Sequence, residues 1–366
     1  MKVVRYDYVS QFGLQIDSLI ADLRSMLLDG RYILSKEVAD FERSLGNYLG
    51  SRFVFGVNTG TDALVIALMA LGVGREAEVI TQANTFHATV AGIRLSGAKP
   101  VLVDAEEDSF LIDRLQVEAA ITTRTRVLLP VHIYGKATPM GELLALSKKH
   151  SLLLVEDAAQ AHGARWDNQM VGSIGDIGCF SFHPSKNLAA AGDGGALCTN
   201  REEFATRIQE YRALGQRGQN NHVRLGMNSK LDAIQALILK AKLPHLDEWN
   251  ARRREIAGMY RERLAELPLS FQAFSAGEQH VYHLFQVRTD RRDALLSHLC
   301  KAGVDAVIRY PVPIHLQPAF ADCGWKRGQF PVAERLANEL LCLPIRPNLT
   351  VAEIDYVAES VRSFFR

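Results

Sequence analysis

The chain has 366 residues, enough for two domains or for one large domain with an appendage. Its 48% hydrophobic residues allow a sizeable core, and 23% charged residues is ordinary for a globular protein. Lys plus Arg number 42 against 41 Asp plus Glu, a formal net charge of +1, so neither nucleic acid nor a membrane surface is an expected partner.

Short apolar runs at 53–57, 78–80, 99–103, 127–131, 152–155, 177–182 and 196–199 predict strands. Many are apolar throughout, the pattern of strands covered on both faces. Helical periodicity falls between several of them, at 62–71, 85–96, 114–121 and 140–150. This alternation predicts an α/β fold with a mostly parallel central sheet. The pattern changes near Leu243. A helix over 229–242 meets Pro244, and a long helix over 248–267 starts with Arg252, Arg253 and Arg254. A strand at 283–288, a helix at 292–302, an irregular proline-rich stretch at 310–318 and a helix at 351–365 complete the chain. We therefore expect a large α/β domain with an N-terminal arm at 1–245 and a small α+β domain at 246–366.

There is no internal repeat and no run of about 18 apolar residues to cross a bilayer. Residues 1–7 are too polar for a signal peptide. The five cysteines (Cys179, Cys198, Cys300, Cys323 and Cys342) are odd in number and include no C-x-x-C pair. A disulfide framework or a zinc site is therefore not expected, and a reducing cytoplasm is.

Three segments carry chemistry. Thr59-Gly60-Thr61-Asp62 follows a strand and opens a helix, where free N–H groups and the helix dipole favour an anion; the alternative is an ordinary N-cap by Thr59 or Thr61. No G-x-G-x-x-G or P-loop pattern accompanies it, which disfavours a nicotinamide oxidoreductase or an ATP site. At 152–157 an apolar strand delivers Glu156 and Asp157 at its carboxyl end, where an acid can hold a cationic ring nitrogen or cap a following helix. Finally, Ser181-Phe182-His183-Pro184-Ser185-Lys186 ends a strand with a lysine in a glycine- and alanine-rich setting. A desolvated lysine becomes a nucleophile, whereas most lysines are simply solvated.

The order helix start, strand-end acid, lysine is that of fold-type I pyridoxal-phosphate enzymes. The motifs resemble the DegT/DnrJ/StrS family of sugar aminotransferases along nearly the whole chain. They include Asn58-Thr59-Gly60-Thr61-Asp62, Pro130-Val131-His132-Ile133-Tyr134-Gly135, Glu156-Asp157-Ala158-Ala159-Gln160, Phe180 to Asn187, Asn228-Ser229-Lys230 and Tyr310-Pro311-Val312-Pro313-Ile314-His315. The resemblance implies an aspartate aminotransferase-like fold and pyridoxal 5'-phosphate as cofactor. Lys186 would form the Schiff base and shuttle the proton. Asp157 would pair with the pyridine nitrogen, Gln160 with the ring hydroxyl, and Phe86 would stack on the ring. Gly60, Thr61 and Ser181 would hold the phosphate, joined by Asn228 from the partner of a homodimer.

The resemblance implies L-glutamate as donor and a nucleotide-linked keto sugar as acceptor. The pattern is nearest to members that aminate C3 of dTDP-linked 3-keto-6-deoxyhexoses. C4 keto sugars and cyclitol ketones are the alternatives within the family, and a cofactor-binding regulator is the alternative outside catalysis. Arg309 stands where relatives often carry histidine, and Lys230 where they often carry arginine. We expect the substrate to meet Arg309, Tyr310, His315 and Arg217, the last in a polar loop over 214–224.

Overall fold

The computed structural model describes residues 1–11 and 16–366. Helices α1 (Ile16–Leu28) and α2 (Lys36–Leu49) precede β1 (Phe53–Val57). Then α3 (Gly60–Ala70), β2 (Glu78–Gln82), α4 (His87–Leu95), β3 (Lys99–Val103), α5 (Arg114–Ala120), β4 (Thr125–Leu128), α6 (Met140–His150) and β5 (Leu153–Asp157) alternate. A hairpin of β6 (Arg165–Trp166) and β7 (Gln169–Met170) leads to β8 (Ile177–Ser181), β9 (Gly195–Thr199), α7 (Glu202–Arg212), α8 (Ala233–Lys242) and α9 (Leu246–Arg263). The remainder contains β10 (Glu278–Gln279), β11 (Phe285–Arg288), α10 (Arg292–Lys301), α11 (Pro331–Glu339), β12 (Leu340–Leu343) and α12 (Val351–Phe365).

Seven strands form one sheet in the order β1-β9-β8-β5-β4-β2-β3. Only β9 runs antiparallel to its neighbours; the others are mutually parallel. The expected α/β architecture is therefore present. Every residue of β2 and β9 is buried, because helices cover both faces. Helix α3 buries Ala63 through Leu68 without a polar stripe, which marks it as a core helix. A second hydrophobic cluster joins the β11–β12 pair to α9, α10 and α12 through Tyr260, Phe285, Leu295, Leu341 and Val357. Val3 is fully buried in this cluster, paired with Val304, so the start of the chain is tied to its C-terminal third.

Element ends differ from the sequence expectation where side chains compete with the ladder. Strand β4 stops at Leu128, and beyond Pro130 only a single bridge, Val131 to Asp157, continues the pairing. Helix α8 begins at Ala233 rather than 229. Ser229 instead donates to Asp62 at 2.6 Å and accepts the Asn58 N–H at 3.0 Å, which locks the segment against the start of α3.

Strand β5 ends in two adjacent acids, and its period of two sends them to opposite faces. Glu156 is fully buried. It accepts N–H groups of Gly172 (2.7 Å), Ile174 (2.8 Å) and Gly175 (2.7 Å), and lies 3.0 Å from His132 Nε2. His132 Nδ1 accepts the Thr138 N–H at 3.0 Å, so the ring proton sits on Nε2 and points at the carboxylate. This clamp draws the 172–175 loop beneath β8; a Cβ on Gly178 would stand 1.8 Å from the Gly172 oxygen. We predict that Glu156→Ala, which strands the buried Gly172 amide, two part-buried amides and a buried imidazole N–H, costs about 3–5 kcal/mol of stability. Equilibrium urea unfolding would register this as a lower midpoint with an unchanged slope; an unchanged midpoint would refute the clamp.

Candidate active site

The carboxyl ends of β1, β2, β5 and β8 open into a cavity of about 520 Å3, the place where open α/β sheets bind ligands. The cavity brings together Gly60, Thr61, Phe86, Asp157, Gln160, Ser181 and Lys186 from the sheet side, with His283, Arg309 and Tyr310 from the C-terminal third.

One end is built for an anion. Thr59 is the N-cap of α3, its hydroxyl accepting the Asp62 N–H at 2.9 Å. That hydroxyl therefore serves the helix. Gly60 and Thr61, in the first turn, have N–H groups without an intrahelical acceptor, at the positive end of the helix dipole. A Cβ on Gly60 would lie 2.5 Å from the Ser181 Cβ, so glycine is what lets the helix start close onto the end of β8.

The other end fits a planar ring. Asp157 is buried in the cavity wall, where its Oδ2 accepts the Thr89 hydroxyl at 2.8 Å and its Oδ1 the Ala159 N–H at 3.2 Å. No helix follows it, so the capping alternative does not apply. Burial raises its carboxyl above the usual carboxylate range, outweighing the Thr89 and Ala159 hydrogen bonds and the nearby Lys186 charge. A cationic ring nitrogen would reverse that. Gln160 has its amide orientation set: Oε1 accepts the Tyr134 N–H at 2.8 Å, and Nε2 donates to the Tyr310 hydroxyl at 2.8 Å. The Phe86 ring, 48% exposed at the cavity wall, lies 5.6 Å from the Tyr310 ring and offers a free aromatic face.

Lys186 follows the turn after β8, its N–H bonded to the His183 carbonyl at 2.8 Å. Burial pushes its amine down to about 8 against the pull of Asp157, and Arg309 adds repulsion. His283 beside it is held neutral, chiefly by burial. The anion cup, the buried unsaturated carboxylate, the exposed aromatic face and the desolvated amine together fit pyridoxal phosphate.

Other expected residues lie elsewhere. Asn228 does not line this cavity; its carbonyl accepts the Asn58 amide at 3.1 Å. His315 is buried against Phe330 and bonded to Glu334 at 2.9 Å, away from the cavity. Arg217 pairs with Glu210, which Arg224 also holds, so the charge of that loop is spent on its own framework. Two groups at the site had no signal in the sequence. Thr89 touches Asp157 only through the placement of α4, and His283 arrives from about a hundred residues downstream of Lys186.

The Lys186 environment has a measurable consequence. Capture of pyridoxal phosphate by the cofactor-free protein requires the unprotonated amine. Its rate should rise with pH and level off just above about 8, whereas an unperturbed lysine would still be gaining rate at about pH 10. Stopped-flow absorbance across a pH series decides this; a rise without a plateau by then would refute a desolvated amine.

Comparison with known proteins agrees with this geometry. Residues 15–362 match the DegT/DnrJ/EryC1/StrS aminotransferase family. The chain is 43% identical over 345 residues to a dTDP-3-amino-3,4,6-trideoxy-alpha-D-glucose transaminase of Streptomyces venezuelae, covering 94% of this chain and 91% of that one. It is 40% identical over 370 residues to a pleiotropic regulatory protein of Geobacillus stearothermophilus, covering 100% and 99%. The crystal structure of S. venezuelae DesV, in complex with a ketimine intermediate, superposes with a TM-score of 0.97 at 41% identity, covering 100% and 99%. Similar solved structures hold the cofactor in its PLP and PMP forms. This chain belongs to the DegT/DnrJ/EryC1/StrS family and is a pyridoxal-phosphate-dependent sugar aminotransferase.

Proposed function

We propose that this aminotransferase moves the amino group of L-glutamate to C3 of a dTDP-linked 3-keto-6-deoxysugar. The net reaction turns glutamate and the keto sugar into 2-oxoglutarate and the amino sugar. The observation that carries the reading is the meeting of Lys186, Asp157 and the Gly60–Thr61 helix start in one cavity. C3 and dTDP are supported by relatives named as dTDP-3-amino sugar transaminases. Relatives named for UDP-linked 3-dehydro and 3-oxo sugars support the carbon but offer a different nucleotide. Glutamate is supported by a relative named as a 3-oxo-glucose-6-phosphate:glutamate aminotransferase.

In this reading Lys186 holds the cofactor. Gly60, Thr61 and Ser181 hold its phosphate, Asp157 its ring nitrogen, Gln160 its ring hydroxyl and Phe86 its face. The bound cofactor supplies an electron-withdrawing protonated ring. Lys186 Nζ, poised near neutrality, takes the proton from the donor's α carbon and returns one to the sugar carbon, a role worth about 10²–10⁴ in rate. Asn228, absent from its own cavity, reaches the phosphate of a second copy. The exposed Tyr32, Ile33 and Leu34 suit such a contact. Light scattering should then report a dimer, and a monomer at working concentration would sink the shared site.

The name of the Geobacillus relative keeps a regulatory reading in view. A cofactor-binding regulator would use Lys186 to capture the cofactor but would release no amino group from glutamate. The deciding experiment offers glutamate with dTDP- and UDP-linked 3-keto and 4-keto sugars and follows products by mass. We expect amination of the dTDP 3-keto sugar with kcat/KM roughly tenfold or more above the others, and loss of at least about 10² in rate for Lys186→Ala. Preference for a 4-keto sugar would overturn the C3 reading. Absence of any amino-group release from glutamate would favour the regulator.

A further inference from the structure

Arg309 lines the cavity beside Lys186, partly buried. Its Nη2 donates to the Tyr6 hydroxyl at 2.7 Å. Its Nε is buried and meets no acceptor. Among the described residues no carboxylate pairs with it, whereas Arg5 and Arg346 have Asp305 and Glu353. Tyr6 is itself held in place. The neighbouring Arg5 lies 3.0 Å from Asp305, and Asp7 Oδ2 accepts the Asn348 amide at 2.5 Å. A guanidinium N–H withdrawn from water and left unmet is costly unless a ligand brings the acceptor.

We propose that Arg309, positioned by Tyr6, is the seat of the amino donor's α-carboxylate. The inference deepens the glutamate reading above and rests on it. Two arguments favour a carboxylate on the reacting carbon over a sugar phosphate. The first is place. Tyr310, next in the chain, bonds Gln160 and faces Phe86, so Arg309 belongs to the ring end of the cavity, beside the amine. An α-amino acid has its carboxylate bonded directly to the carbon that reacts there. The phosphates of a nucleotide-linked sugar hang from the anomeric carbon, away from C3. The second is chemistry. A planar guanidinium with an unmet Nε–H can give a carboxylate two parallel charge-assisted bonds. Tyr6 holds the arginine through a neutral oxygen, so its charge stays available to the donor. The same site must then accept a sugar that has no anion at this point, and a tethered arginine serves both without an acid of its own to displace.

The test uses the holoenzyme and separates the two half-reactions by stopped-flow absorbance. Calorimetry adds the affinity of 2-oxoglutarate for the amine form. For Arg309→Gln we expect the glutamate KM and the 2-oxoglutarate Kd to rise about tenfold or more. The keto-sugar KM should change by no more than about threefold, since a neutral ligand makes no charged contact there, while the lost repulsion on Lys186 acts on the maximal rates of both half-reactions. Arg309→Lys should recover part of the loss, and Tyr6→Phe should shift the same quantities in the same direction by a smaller factor. An unchanged 2-oxoglutarate affinity in Arg309→Gln would overturn the proposal. So would an equal rise in the glutamate and keto-sugar KM, or weakening confined to thymidine diphosphate. If the wild type ignores glutamate but reacts with another α-amino acid, the glutamate reading alone fails. The same comparison with that amino acid then decides the role of Arg309.

Discussion

Two adjacent carboxylates at the end of one buried strand carry opposite assignments. Glu156 meets three amides and an imidazole N–H on its side of β5. Asp157, on the other side, has one hydroxyl and one longer amide contact and otherwise faces the cavity. The saturated acid anchors the 172–175 loop and with it the end of β8, from which Ser181 and Lys186 emerge. Asp157 is left short of protein donors, so its unused acceptor positions are turned toward the cavity, where a ligand's cationic nitrogen can meet them. Had both acids been satisfied, the site would have no place for a cationic ring; had neither been, the strand end would be electrostatically untenable.

The C-terminal third completes the cavity through few contacts. Tyr310 reaches Gln160, stacks near Tyr134 and faces Phe86, and Tyr310 and Tyr134 both have left-handed backbone, φ 57° and 64°. Non-glycine residues in that region are uncommon, and here both lie where the cavity wall must turn inward. The N-terminal strap adds a second tie, with Val3 in the C-terminal hydrophobic cluster and Tyr6 on Arg309. The cation beside Lys186 thus depends on residues some three hundred positions apart in sequence.

The strands of the main sheet were legible because fully covered strands are apolar along their whole length. The antiparallel course of β9 was not, since periodicity carries no direction. Helix α2 lies outside the strand and helix alternation, yet Val38, Phe41, Leu45 and Leu49 repeat at helical spacing and are buried against the core. The signal was present there. Strand β12, with its apolar Leu340 to Leu343, follows α11 without a turn residue between them, and nothing local separates the two. At the site, Gly60, Thr61, Asp157, Gln160, Ser181 and Lys186 share the cavity as their motif order implied. His315, from the motif that follows Tyr310, and Arg217, from the 214–224 loop, are instead held by the local partners Glu334 and Glu210.

By itself the sequence determined the layered fold and the class of chemistry. Burial on both faces imposes a composition on each strand, and a cofactor with a phosphate, a cationic ring nitrogen and an aldehyde demands residue types that recur in a set order. Only the tertiary structure decided which polar groups remain unsatisfied once the chain has closed. Glu156 and Asp157 are adjacent and nearly the same in chemistry, and Arg309 and Arg346 are both arginines bonded to the N-terminal segment. What separates each pair is whether the folded chain brings a partner within reach, three amides and His132 for Glu156 and Glu353 for Arg346, and local pattern does not show which groups are left without one.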